Sequence, residues 1–361
     1  MGQRSWQFDI DFLRQQVKNG QNLLKERNVS SYDKKMIKEN MTFFEEILSV
    51  MQGTYKEVNS KPKKLTNTIK DLYLQKIKSD SIILEENFID LIISIAEGHL
   101  STDLGQEQYY LKNKPLNIVN NSLEVYKEFA PDFIKPANFI IEHPVSLINF
   151  YEQKMMGSEC YFDELSGLPF IHVSEQNSFP PSFIHELQHG IGAVLNYKTH
   201  PFYNELGSIL FETLYIDKMV EKPDEDSALL YQERILETEA LLDYLACYFK
   251  ALKEFKKYNF SISHTKFFDI LLSNNVVYND EEEIIELLEL DTYECLCYVL
   301  SFLKGLEVRE KIYHDKKFGL KLLKKLLTHD RLCLEKDSIK TIRTYDSYLD
   351  EVKIKIKEMN K

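Results

Sequence analysis

The sequence predicts a mainly α-helical protein with one small β-structure. Over most of the 361 residues, apolar side chains recur every three or four positions, which is the spacing of helices with one buried face. This pattern predicts helices through 82–96, 229–255 and 284–327, and a last surface helix within 335–361. A hydrophobic content of 43% is enough for a substantial core. One short apolar segment breaks the helical spacing and is the predicted strand.

The same pattern suggests two regions along the chain. Residues 1–140 carry helical periodicity, and we expect them to form a wall or cap over a cleft. Residues 141–361 hold the polar motifs described below. Four prolines between 115 and 144 indicate short helices and loops where the regions join, and a single continuous domain is the alternative.

The predicted strand lies at Leu168–Val173, just before a helix. It is apolar and partly β-branched, and Pro180 and Pro181 separate it from the helix that follows. We expect an edge strand beside that helix, because an extended peptide can bind to such an edge through main-chain hydrogen bonds. For the histidine of this strand, exposure to solvent is an equal alternative. The candidate substrate-binding residues are therefore Phe170, Ile171, His172 and Val173.

The helix after the strand carries the most informative motif of the chain. His185, Glu186, Leu187, Gln188 and His189 spell H-E-x-x-H. On a helix the two histidines stand at i and i+4 on one face, where both imidazoles can bind one zinc ion. The glutamate between them, Glu186, would act on the molecule that the metal ion binds. The motif therefore predicts one zinc ion per chain.

The next predicted helix offers a third ligand, because a catalytic zinc takes three protein ligands and one water. Glu205, Ser208 and Glu212 stand at i, i+3 and i+7 and form a polar stripe on an otherwise apolar helix. Two carboxylates on a buried helix need a partner, and a cation is the simplest one. Both glutamates are candidate ligands.

Position along the helix favours Glu205 over Glu212 as the third ligand. Asn196 is expected to end one helix and Pro201 to begin the next, which places Glu205 about as far past the turn as His189 lies before it. Glu212 would lie roughly 10 Å further along the helix. We therefore predict Glu205 as the ligand, with Glu212 and Ser208 behind it, where Glu212 would orient a histidine or a substrate-binding group.

The pairing of H-E-x-x-H with a downstream E-x-x-S-x-x-x-E resembles the thimet oligopeptidase and oligoendopeptidase F family of zinc peptidases. The resemblance implies an almost wholly helical, zincin-like fold with a channel that admits short peptides. It implies a zinc-dependent endopeptidase that hydrolyses short peptides, with His185, His189 and Glu205 as zinc ligands. Glu186 would be the general base for the water that the zinc holds.

Further residues are implied by the same resemblance. Tyr298, in Tyr-Val-Leu-Ser, is similar to the family's tyrosine that donates a hydrogen bond to the oxyanion, and Tyr293 is the second candidate. The family also has a histidine before this segment, and His264 could take its place. Where the family has a glycine, this chain has Gln188. These departures leave an alternative, a degenerate relative that binds peptides without cleaving them.

Composition limits the partners. A net charge of −12 argues against nucleic acid, whose binding needs a basic surface. No stretch approaches 18 uninterrupted apolar residues, so no membrane span is expected. Five cysteines, an odd number, fit reduced thiols and a cytoplasmic protein better than a disulfide framework. A short peptide substrate is the expected partner, and the sequence leaves the oligomeric state open.

Overall fold

The structure, a computed structural model, describes residues 10–25, 67–98, 115–142, 148–151, 158–163, 168–174, 180–197, 199–220, 225–276, 290–329 and 338–359, with isolated positions at 34, 37–38, 41, 45, 284 and 287–288. Across these residues the protein is mainly α-helical, as predicted. None of the helices in this part of the chain is both long enough and apolar enough to cross a membrane.

The elements are numbered here in chain order. The helices are α1 (Ile10–Leu23), α2 (Asn67–Ile83), α3 (Glu86–Gly98), α4 (Pro115–Phe129), α5 (Ile134–Glu142), α6 (Pro181–Val194), α7 (Pro201–Val220), α8 (Glu225–Lys257), α9 (His264–Ser273), α10 (Thr292–His314), α11 (Lys316–Leu326) and α12 (Ser338–Met359). The strands are β1 (Ile148–Tyr151), β2 (Glu159–Asp163) and β3 (Leu168–Ser174), and a 3₁₀ turn at Pro131–Phe133 precedes α5.

The chain forms two compact units that are discontinuous in sequence. The first comprises Met1–Asn59 and Tyr110–Tyr197, and the second comprises Ser60–Tyr109 and Lys198–Lys361. This division does not follow the boundary near residue 140 that the sequence suggested. The reason lies in packing, because α2 and α3 contact the much later helix α8.

In the first unit, three strands form a small sheet with β3 in the centre. β1 pairs with β3 in parallel and β2 pairs with it antiparallel. The prediction that Leu168–Val173 is an edge strand was therefore wrong, since both sides of β3 are occupied. The flanking strands have only four and five residues, too few for their alternation to be recognised in the sequence.

This correction bears on the four residues predicted to bind substrate. Ile171 and Val173 are fully buried, so their side chains belong to the core. The side chains of Phe170 and His172 lie outside the described part of the chain. In the sheet as described, the outer strands are β1 and β2.

Helix α6 is the centre of the first unit. It packs against β2, β3, α4 and α5 and is buried on nearly every side. Gly190 permits this close approach, because a Cβ there would stand 3.3 Å from both Ile140 Cδ1 on α5 and Pro169 Cβ on β3. An apolar helix with small residues at its contacts suits such a buried position.

The second unit is a bundle built around α8 and α10. Helix α8 contacts α2, α3, α7, α9, α10 and α12, while α10 contacts α7, α8, α11 and α12. Ser301 on α10 donates a hydrogen bond to the carbonyl of Phe202 on α7 at 2.7 Å. The last helix is present as predicted, but one of its faces is buried through Tyr345, Tyr348, Leu349 and Val352.

Candidate metal centre

The first two predicted ligands lie on α6, whose ends are fixed by local sequence. Pro181 occupies the first turn, where its missing N–H is not needed. At the other end Asn196 adopts a left-handed conformation with φ 52°. The N–H groups of Asn196 and Tyr197 donate to the carbonyls of Ala193 and Gly192 at 2.9 and 3.0 Å, which is the Schellman arrangement. The predicted end of this helix at Asn196 is confirmed.

The two histidines of the motif face each other. Their Nε2 atoms are 3.0 Å apart and their ring centroids 4.7 Å apart. Two imidazole nitrogens on one tetrahedral zinc, at about 2.0–2.1 Å each, stand about 3.3 Å apart. His185 is buried and His189 is half-buried. The pair therefore has nearly the spacing that a shared metal ion requires.

Glu205 completes a group of three. One ligating atom from each of His185, His189 and Glu205 lies within 4.8 Å of the others, and the carboxylate is half-buried. Two imidazole nitrogens and one carboxylate oxygen are a donor set found in catalytic metal sites, which leave one position for water. These three residues fit a metal ion and could hold one. They are the three residues that the sequence predicted as ligands.

Glu186 stands between the two histidines in the sequence and is also buried, with 7% of its surface exposed. It follows His185 by 100° around α6, so it lies on the face next to that of the imidazole pair.

The polar stripe on α7 divides into two environments. Glu205 belongs to the metal group, whereas Ser208 is fully buried and Glu212 forms an ion pair with Arg234 on α8. The distance from Arg234 Nη1 to the Glu212 carboxylate is 3.2 Å, and both side chains are buried. The sequence predicted that a cation would balance the carboxylates of this helix. For Glu212, that cation is Arg234.

Arg234 was not singled out in the sequence. Burial lowers its pKa, but the carboxylates of Glu212 and Glu237 raise it above the usual value, and Tyr298 acts in the same direction. Tyr298 is therefore close enough to Arg234 to act on its charge. Arg234 shares its helix face with buried apolar residues such as Tyr231 and Ile235, and a charged residue on a buried face was the available signal.

Tyr293 lies in a different hydrogen-bonded group, with His200 and Cys297. His200 precedes α7, and its Nδ1 accepts the N–H of Phe202 at 3.2 Å. Burial lowers the pKa of His200, so the ring is neutral at pH 7 and its proton is on Nε2. That nitrogen lies 3.1 Å from the Tyr293 hydroxyl, to which it donates. This places His200 at the start of α7 as a cap.

Cys297 connects Tyr293 with the surroundings of Glu205. Burial raises the pKa of the Cys297 thiol to about 12, a hydrogen bond from Tyr293 opposes the rise, and the charge of Glu205 adds to it. Tyr293 and Glu205 thus both act on Cys297. His264 is exposed at the start of α9, with its ring 5.0 Å from that of Phe268.

Neither a protein-family model nor a curated protein sequence matches this chain. Among solved structures, the chain is similar to one described as an oligoendopeptidase F from Bacillus anthracis, with 14% identity over 90% of this chain and a TM-score of 0.46. It is also similar to one described as a peptidase from Chlamydophila abortus, with 15% identity over 89% and a TM-score of 0.48. A third is Pz peptidase A with an inhibitor, with 14% identity over 91% and a TM-score of 0.47. The chain spans 62%, 60% and 66% of these three proteins, respectively.

Proposed function

We propose that this protein is a zinc-dependent endopeptidase that hydrolyses short peptides. The observation that carries the proposal is the group formed by His185, His189 and Glu205, with Glu186 between the two histidines in the sequence. A buried acid next to a three-residue metal site is the arrangement used for metal-assisted hydrolysis of amides.

Zinc is the metal that this donor set favours. Two imidazoles suit zinc, and a carboxylate as third ligand leaves a tetrahedral ion one open position. Magnesium and calcium prefer oxygen ligands, which only Glu205 offers in this group. We therefore expect one zinc ion per chain.

When bound, zinc would lower the pKa of a coordinated water toward neutrality and polarise the carbonyl of the substrate. The protein's own part begins with Glu186, whose carboxylate accepts the proton of the attacking water and later donates it to the leaving amine. Each ligand is carried by a helix, His185 and His189 by α6 and Glu205 by α7.

A tyrosine hydroxyl would stabilise the oxyanion, and Tyr293 is the better supported of the two candidates. It shares Cys297 as a neighbour with Glu205, and its hydroxyl donates to the thiol in this structure. Turning that donor from sulfur to an oxyanion costs only a weak hydrogen bond. Tyr298 and His264 stay predicted contributors.

The substrate chain would bind along β2 rather than along β3. Helix α6 packs against both strands, but β3 is paired on both sides and β2 is an outer strand. An extended peptide that adds to β2 would run beside the helix that carries both histidines. The proposal thus moves the predicted strand addition from residues 170–173 to Glu159–Asp163.

The test combines zinc stoichiometry with cleavage of a mixed library of short peptides. We expect one zinc per chain and cleavage in the wild type, and one zinc without cleavage in Glu186→Gln. His189→Ala should lose both zinc and cleavage. Glu307→Gln is the matched control, because Glu307 is as buried as Glu186 but pairs with Lys304.

Two results would contradict the proposal. A folded wild type without zinc would overturn the metal site. Zinc binding without cleavage of any library peptide would instead indicate a protein that binds peptides, which is the degenerate alternative.

A further inference from the structure

Gln188 is a buried polar residue inside the H-E-x-x-H motif, with 3% of its surface exposed. Its side chain is a primary amide, which costs free energy when buried unless it is hydrogen-bonded. It directly precedes His189 on α6. The function proposed above gives this residue no role, so its partner indicates why a polar side chain stands there.

That partner is Tyr126 on α4, which is fully buried. The Tyr126 hydroxyl donates to Gln188 Oε1 at 3.2 Å and lies 3.4 Å from the carbonyl oxygen of Ile184. The tyrosine ring is in turn held edge-on against Phe133 at 6.3 Å. One hydroxyl thus binds two successive turns of α6.

These two contacts lie immediately beside the metal ligands. Ile184 precedes His185 and Gln188 precedes His189, so each contact is one residue before a histidine. Successive residues are 100° apart around a helix, which places the Tyr126 contacts on the face next to the imidazole pair. The hydrogen bond therefore fixes the rotation of the helix turns that carry both ligands.

The geometry makes small rotations important. Side-chain ends lie about 5–6 Å from a helix axis, so a rotation of about 10° moves them by about 1 Å. Metal–ligand distances tolerate only about 0.2 Å. Gly190 allows α6 to pack closely against Ile140 and Pro169, but close packing alone sets distance better than rotation. A directional hydrogen bond supplies the missing constraint.

We propose that Tyr126 is a positioning residue for the metal centre, acting through Gln188 to hold His185 and His189 in register. The inference rests on the proposed metal site and names one residue that contributes to its affinity. A glycine in place of Gln188 could not accept this hydrogen bond, so the device belongs to this chain's particular sequence.

The first variant is Tyr126→Phe, which removes the hydroxyl and keeps the ring. We expect zinc affinity to fall about 10- to 100-fold, the usual effect of removing a group that orients a ligating histidine. The visible spectrum of the Co²⁺-substituted protein should also change, because it reports the geometry of the ligands. Circular dichroism should show unchanged helix content.

Tyr73→Phe is the matched control. Tyr73 is fully buried in the second unit, and within the described residues its hydroxyl has no hydrogen-bond partner. Its removal should leave zinc affinity and the Co²⁺ spectrum as in the wild type.

A double-mutant cycle with Gln188→Met locates the effect. If Tyr126 acts through Gln188, then Gln188→Met alone should weaken zinc binding to a similar extent. The zinc affinity of the double variant should then be no lower than that of the single variant that binds zinc less tightly. Should Tyr126→Phe not fold, Gln188→Met still carries the test.

The outcomes separate this inference from the proposed function. A wild type that binds no zinc overturns the metal site itself. A wild type that binds zinc, together with Tyr126→Phe or Gln188→Met variants of unchanged affinity and unchanged Co²⁺ spectrum, overturns the positioning role alone.

Discussion

Arg309 is the centre of a buried charge network in the second unit, and its replacement by methionine should destabilise that unit. Its Nε and Nη2 atoms donate to the two carboxylate oxygens of Asp217 at 2.7 and 2.9 Å. The same guanidinium donates to both oxygens of Glu351 on α12, at 3.0 and 2.9 Å. Arg309 thus joins α7, α10 and α12 through charged hydrogen bonds.

The cost of Arg309→Met lies mainly in the carboxylate left behind. Asp217 is only 5% exposed, and it keeps hydrogen bonds from the hydroxyls of Tyr231 and Tyr313 at 2.7 and 3.0 Å. The cation that remains near it, within the described residues, is Lys355 at 3.8 Å. Removing one partner of a buried pair costs about 3–5 kcal/mol. Because two hydroxyls and one lysine stay, we expect the lower value, about 3 kcal/mol.

Thermal unfolding followed by circular dichroism measures this loss. For a unit of about 200 residues, each kcal/mol shifts Tm by about 2–4 °C, so Arg309→Met should lower Tm by about 6–12 °C. Adding Asp217→Leu removes the buried carboxylate that has lost its arginine. The double variant should therefore recover a large part of the lost Tm. A single variant with the wild-type Tm, or a double variant that loses the sum of both single effects, would refute the reasoning.

Two further predictions concern acid stability and catalysis. Burial raises the pKa of Glu351, but hydrogen bonds from Arg309 and Lys355 lower it to about 2, from an ordinary value of 4.5. Its stabilising effect should be complete above pH 4.5 and disappear toward pH 2, so the Tm difference between wild type and Glu351→Gln should shrink over that interval; a difference independent of pH would contradict this. Tyr293→Phe should lower kcat by about 10²- to 10³-fold with zinc retained, and Tyr298→Phe should lower it less. The reverse order would assign the oxyanion donor to Tyr298.

Local sequence determined the helices and much of the candidate centre. The spacing of His185 and His189 places them on one helix face whatever surrounds the helix. Asn196 and Pro201 mark helix ends through their own backbone preferences, and the structure has the ends where these residues predict them. These features depend on neighbours within one or two turns, which is why a sequence without structure is sufficient to predict them.

Tertiary structure alone decided which remote residues meet. Gln188 accepts its hydrogen bond from Tyr126, 62 residues earlier, and Asp217 pairs with Arg309, 92 residues later. The predicted edge strand became the centre of a sheet because two very short segments pair with it. Hydrophobic periodicity indicates that a residue is buried. The partner of a buried polar group depends on how elements far apart in the sequence pack together, which local sequence does not determine.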